Sequence, residues 1–211
     1  AGVPPAHSRP ASEAGETPAL QAARVIASVD WGYTNPGVLQ VWAVDGDGRL
    51  ILLRELYQTR RLIDWWAAQA RRLQERYGIE FFACDPSEPA YIAQFRQAGL
   101  DARPAQSAVG PGIQAVQARL AVQADGRPRL YLYRGALEEM DPALDAQGRP
   151  TCTEQELPDY VWAGSPWAEG ADRKNPPETP LKVNDHGCDA LRYAVMAVQS
   201  PGLTVEYSSW G

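Results

Sequence analysis

Three apolar runs crowd into residues 24–57: RVIASVDWG, GVLQVWAVD and RLILLRELY. Each is rich in β-branched and large apolar side chains, the composition of buried strands. DGDG at 45–48 is a tight-turn sequence between the second and third runs. Links this short leave no room for a crossover, so neighbouring strands must run antiparallel. The start of the chain is thereby held to a three-strand meander.

The hydrophobic period then changes. In RRLIDWWAAQARRLQERYG the apolar positions Leu62, Trp65, Trp66, Ala70 and Leu73 follow helical spacing, and Gly78 ends the helix. IEFFACDP at 79–86 predicts a short strand closed by Asp85 and Pro86. EPAYIAQFRQAG predicts a helix, Ala102–Pro104 a short strand, SAVGPG a loop and IQAVQARLAVQ a helix. ADGRPRLYLY predicts a turn entering a strand, read as one arm of a β-hairpin insert near 124–134. Residues 141–183 give no clear pattern, and a last helix is expected from about Asp185 to Gln199. Three antiparallel strands followed by αβ crossovers predict an α/β fold: a mixed sheet with helices on both faces. This is the element order of the ribonuclease H-like fold. Residues 1–22 are rich in Ala, Pro, Ser and Glu without periodicity, and read as a flexible leader or linker remnant before a single domain at 23–211.

Bulk properties narrow the function. The chain has 211 residues and a net charge of −6, which argues against a general nucleic-acid binder. It leaves room for an enzyme whose acidic site holds cations against phosphates. Three cysteines, Cys84, Cys152 and Cys188, are too few and too odd in number for a disulfide framework and point to a reducing compartment. No apolar run approaches the ~18 residues of a membrane span. Lys174 and Lys182 are the only lysines, so positive charge is carried almost wholly by arginine.

The first strand ends at Asp30 and the fourth at Asp85. In the expected topology these strands are parallel neighbours, so both carboxylates meet at one rim, where open α/β sheets place their sites. The stretch NDHGCDALRY can lay Asp185, His186 and Asp189 against the same rim. Its motifs offer no evident basic partner. Clustered carboxylates are costly unless they titrate abnormally or hold cations. Oxygen ligands suit Mg²⁺ or Mn²⁺. Each position also has a structural reading: Asp30 as a strand end, Asp85 as a turn start, Asp185 as an N-cap and Asp189 as a surface carboxylate. His186 is read as supporting the site or touching substrate rather than binding metal. Cys84 and Cys188 precede Asp85 and Asp189, so their side chains should point into the core.

The chain resembles the nuclease domain of the large terminase subunit of tailed bacteriophages, across about residues 24–200. The likeness rests on VDWGYTNPGVLQVWAVD, on FFACDPSEP, on LPDYVWAG at 157–164, and on Lys182 followed by NDHGCDALRYA. It implies a metal-dependent endonuclease that cuts concatemeric double-stranded viral DNA during genome packaging. It further implies two ions, Mg²⁺ or Mn²⁺, held by Asp30, Asp85 and Asp189, with Asp185, His186 and Lys182 as auxiliary groups. Arg127, Arg129 and Arg134, in the expected hairpin, become candidate DNA contacts. An N-terminal packaging ATPase, a portal and a small terminase subunit are the implied partners, in the host cytoplasm during phage assembly and without a membrane. The chain itself has no GxxxxGK[ST] phosphate loop. Other readings compete: a resolvase or transposase core, a catalytically silent DNA-docking module, or an actin-like or sugar-kinase ATP-binding lobe, which Asp30-Trp-Gly-Tyr-Thr34 superficially matches.

Overall fold

The computed structural model describes residues 24–160 and 183–199; the expected leader at 1–22 lies outside them. The expected meander is present: β1 (Arg24–Asp30), β2 (Gly37–Val44) and β3 (Leu50–Gln58) pair antiparallel in chain order. Helix α1 (Ile63–Tyr77) leads into β4 (Phe82–Cys84), which pairs parallel with β1. Helix α2 (Pro89–Gln97) leads into β5 (Ala102–Pro104), parallel to β4. Helix α3 (Val109–Leu120) crosses to β6 (Leu130–Leu132) at the far edge. The sheet order is β5-β4-β1-β2-β3-β6. Two short helices, α4 (Pro142–Asp145) and α5 (Thr153–Glu156), and a 3₁₀ turn at Leu157–Asp159 occupy part of the stretch that the pattern left blank. Helix α6 (His186–Gln199) closes the described fold. None of the described helices is long and apolar enough to cross a membrane.

The strand period of two divides the core. Ala27, Val29, Leu39 and Val41 pack with α1 and α2 on one face. Ile26, Trp42, Leu50 and Leu52 pack with α3 and α6 on the other. Ser28 and Asp30 share the parity of Ile26, so the acid at the end of β1 is delivered to the α6 face.

Two expectations fail. Helix α3 starts at Val109, inside the segment read as a loop, because Gly110, Pro111 and Gly112 all lie within its first turn and a half. Pro near a helix start loses no intrahelical bond. The 124–134 segment forms no hairpin. A turn at Gln123–Arg127 feeds β6, which pairs parallel with the start of β3, Leu50 opposite Leu130. The strand arrives from a helix on one face of the sheet, and such a crossover lands parallel.

Candidate metal centre

Register builds the first half of the site. Val29 lies opposite Cys84 in the parallel ladder, so Asp30 and Asp85 leave adjacent strands side by side. The Asp85 N–H donates to the Val29 carbonyl at 2.9 Å, which prolongs the pairing to the acid itself. Asp85 also starts a turn: its carboxylate accepts the Ser87 N–H at 3.0 Å and the Ser87 hydroxyl. The turn reading and the site reading are compatible. Trp31 steadies the exit from β1 by donating Nε1–H to the Asp85 carbonyl at 2.9 Å. Its ring meets Tyr91 and Phe95 edge-on at 5.5 and 5.0 Å.

Helix α6 supplies the other half. Asp185 stands just before it, and its carbonyl accepts the first helical bond from Asp189 N–H at 2.7 Å. His186 Nδ1 lies 3.1 Å from Asp30 Oδ2, tying the helix to β1. The expectation that the motif lacks a basic partner is wrong. Arg192, one turn beyond Asp189, contacts Asp189 Oδ1 through Nη2 at 3.0 Å. Its Nη1 also donates to the Ser107 carbonyl at 3.1 Å. Arginine at i+3 looks like a solvated helix residue in sequence. Here it is buried, and a glycine on α3 makes the room: a Cβ on Gly112 would collide with the Arg192 side chain. Cys84 and Cys188 are buried free thiols, and burial pushes both thiol pKa values up.

Asp30, Asp85, Asp185 and Asp189 line one cleft of about 660 Å³. Asp30, Asp185 and Asp189 are nearly buried. Burial pushes the Asp30 carboxyl up to about 6, against the opposing hydrogen bond and charge of His186; the Asp189 and Asp85 carboxylates push the same way as burial. Burial opposes the charged form of His186, but Asp30, with Asp185 and Glu156, carries its pKa above the ordinary value. A hard divalent cation suits this donor set in oxygen type and in sign of charge. Among the described residues, however, no three His, Cys, Asp or Glu side chains already stand in ligand geometry. Carboxylate oxygens of Asp30, Asp85 and Asp189 engage His186, Ser87 and Arg192 instead.

Sequence reasoning overlooked a polar row behind this cleft. Register aligns Ser28 with Gln40 and Gln40 with Glu55 across β1, β2 and β3, all buried on the α6 face. Gln40 Nε2 reaches Thr153 Oγ1 at 2.6 Å and the Gly187 carbonyl at 3.0 Å. Thr153 donates its hydroxyl to Glu55. Glu156 accepts the Tyr57 hydroxyl at 2.5 Å and the Cys188 N–H at 2.9 Å. A Cβ on Gly187 would collide with Thr153, so glycine lets α5 close on α6. Burial pushes Glu156 up to about 7 and raises Glu55 as well. The row therefore grips the backbone of the turn that carries His186 and Asp189. Its only sequence signal is polar residues at inward strand positions, Gln40 and Glu55.

The expected arginines lie elsewhere. Leu130 pairs with Leu50 at the start of β3, so Arg127 and Arg129 sit at the rim opposite Asp30. Arg129 pairs with Asp125 at 2.8 Å. Arg134 is exposed in a turn along the β3 edge. Lys182 and residues 161–164 lie outside the described residues. The arginine that does line the cleft is Arg149, from the link between α4 and α5.

No protein-family model and no curated protein matches the chain. Solved structures do. The large terminase of a thermophilic bacteriophage superimposes with a TM-score of 0.62 at 21% identity, over 87% of this chain and 40% of that one. The nuclease domain of the bacteriophage SPP1 large terminase, solved with bound Mn, gives 0.58 at 17% identity over 87% and 92%. The P22 large terminase nuclease domain gives 0.55 at 18% over 87% and 84%. The chain thus spans about two fifths of the thermophilic phage's protein and most of each isolated nuclease domain, and its fold is the ribonuclease H-like fold of large terminase nuclease domains.

Proposed function

We propose that this chain is the nuclease domain of a phage large terminase and that its acidic cleft hydrolyses phosphodiester bonds of double-stranded DNA during packaging. The observation that carries the proposal is the convergence of Asp30, Asp85 and Asp189 on one rim, from two strand ends and a helix far apart in sequence. The Mn bound in the SPP1 nuclease domain supports the choice of a divalent cation. Asp30, Asp85 and Asp189 would hold two Mg²⁺ or Mn²⁺ ions. Bound there, the ions would supply activation of the attacking water and neutralise charge on the departing 3′ oxygen.

The chain's own residues do the rest. Asp30 is the central carboxylate, oriented by His186. Arg192 sets the direction of Asp189. Asp185 adds negative charge at the mouth, and Trp31 and Ser87 fix the two strand ends. Contacts of this kind read phosphates rather than base edges, so cutting depends little on sequence. In the longer protein an N-terminal ATPase, a portal and a small subunit would be the partners, in the host cytoplasm. The thermophilic phage's large terminase, solved also with ATP-γ-S, supports the ATPase.

The test is a nicking assay on supercoiled plasmid with Mg²⁺, Mn²⁺ or EDTA, beside linear duplex, a four-way junction and an RNA–DNA hybrid. Metal-dependent cutting of plasmid and duplex is expected. Clear junction preference would replace the terminase reading with a resolvase.

A further inference from the structure

A cleft lined by four carboxylates repels the phosphodiester it is proposed to cut, and Arg149 lines that same cleft. Many arginines of the fold are occupied by acids: Arg24, Arg49, Arg72, Arg103, Arg129 and Arg192 each pair with a carboxylate. Arg149 differs. It lines the same cleft as Asp30, Asp85, Asp185 and Asp189, and among the described residues its guanidinium bonds a neutral amide, Asn184 Oδ1, at 3.3 Å. One donor is used, and no described residue takes the other N–H groups of the fork. Asn184 directly precedes Asp185 and holds a left-handed backbone, φ 50°, a conformation asparagine tolerates well. The contact therefore braces the arginine against the entrance to α6 without neutralising it.

We infer that Arg149 binds a non-bridging phosphate oxygen of the DNA strand entering the cleft. The inference rests on the nuclease reading of the cleft. A guanidinium keeps its charge at any working pH and matches phosphate oxygens with paired N–H donors. It offers the strand an attractive contact that does not depend on cations held by the carboxylates. Arg127 and Arg129, at the opposite rim, cannot serve the same phosphate.

The experiment measures duplex DNA binding by fluorescence anisotropy in EDTA across a salt series, alongside plasmid nicking in Mn²⁺. Arg149→Ala should weaken binding roughly tenfold and lower the slope of log affinity against log salt by about 1. Arg149→Lys should keep the slope. Asn184→Gly, which suits the left-handed backbone and removes the brace but no charge, should also keep it, as should Arg127→Ala with Arg129→Ala. An unchanged slope in Arg149→Ala, or an equal loss in Asn184→Gly, overturns the inference. The two readings fail separately. Wild-type protein that cuts while Arg149→Ala keeps its slope sinks only the phosphate contact. Wild-type protein that binds but never cuts sinks the nuclease and leaves the contact standing. Absence of DNA binding in EDTA sinks the phosphate contact, and absence of cutting in Mn²⁺ as well sinks both.

Discussion

Two groups of acids flank the first turn of α6. Asp30, Asp85, Asp185 and Asp189 line an open cleft, while Glu55 and Glu156 are sealed between the sheet, α5 and α6. In the sealed group the hydrogen-bond donors on the carboxylates are neutral: Gln40, Tyr57, Thr153 and the Cys188 N–H. Burial there disfavours the charged carboxylate, and it pushes Glu156 up to about 7. In the open group Arg192 and His186 engage two of the acids, and the cleft gives onto solvent. The sealed acids hold a backbone in place. The open acids line a cleft that a solute can enter.

The open group is most sensitive at Asp30. Asp30→Asn should cut plasmid at least ~10³-fold more slowly, equivalent to about 4 kcal/mol of barrier. Its urea midpoint should be unchanged or slightly higher, because a buried carboxylate has been neutralised. A variant that still nicks in Mg²⁺ or Mn²⁺ would refute the role assigned to this acid.

Glu156→Ala should show the reverse emphasis. It strands the Tyr57 hydroxyl and the Cys188 N–H in the core, at a cost of about 2–4 kcal/mol in urea unfolding. Loss of cutting should follow loss of structure, and Glu156→Gln should restore most of both.

A smaller effect separates the groups by pH. The folded Glu156 carboxyl, pushed from an ordinary value of 4.5 to about 7, binds its proton more tightly than the unfolded chain does. Its contribution is fully present below about 4.5 and is lost as pH rises through about 7. Burial raises Glu55 as well, so its contribution is lost in the same direction as pH rises. Unfolding free energies of wild type and Glu156→Gln should diverge by on the order of 2–3 kcal/mol across that window. Parallel curves would show that the sealed acid is not protonated.

Two finer tests sharpen the contrast. Millimolar Mn²⁺ should raise the melting temperature of wild type by a few degrees and that of Asp30→Asn by less, if only the open group holds cations. Gly112→Ala should cost about 1–2 kcal/mol by driving a methyl group into Arg192. It should also slow cutting, since Arg192 then no longer orients Asp189. Full activity would remove Arg192 from the account.

The arginines show where reading the chain went astray. Arg127, Arg129 and Arg134 fall in a turn-like stretch, and turn arginines near an expected hairpin look like DNA contacts. The parallel landing of β6 carries Arg127 and Arg129 to the wrong rim. Arg149 sits in a segment without periodicity, and its place in the cleft depends on where α4 and α5 pack. The third error, a motif with no basic partner, overlooked Arg192, which pairs with Asp189 only because α3 packs over it.

The meander, the helices with a strong period, and the acids at the ends of β1 and β4, Asp30 and Asp85, are legible in the residue pattern. Alternation, helical spacing and short turns are local properties that any chain segment carries with it. Packing between distant elements set the rest: Gln40, Glu55, Thr153 and Glu156 form one buried row, Gly112 admits Arg192, and Arg149 lines the acidic cleft. Within the row, Gln40 meets partners 15 and 113 positions away, and only once sheet register and helix docking have brought them together. No local pattern encodes such a meeting, because its free energy comes from burial and hydrogen bonding shared among elements rather than within any one of them.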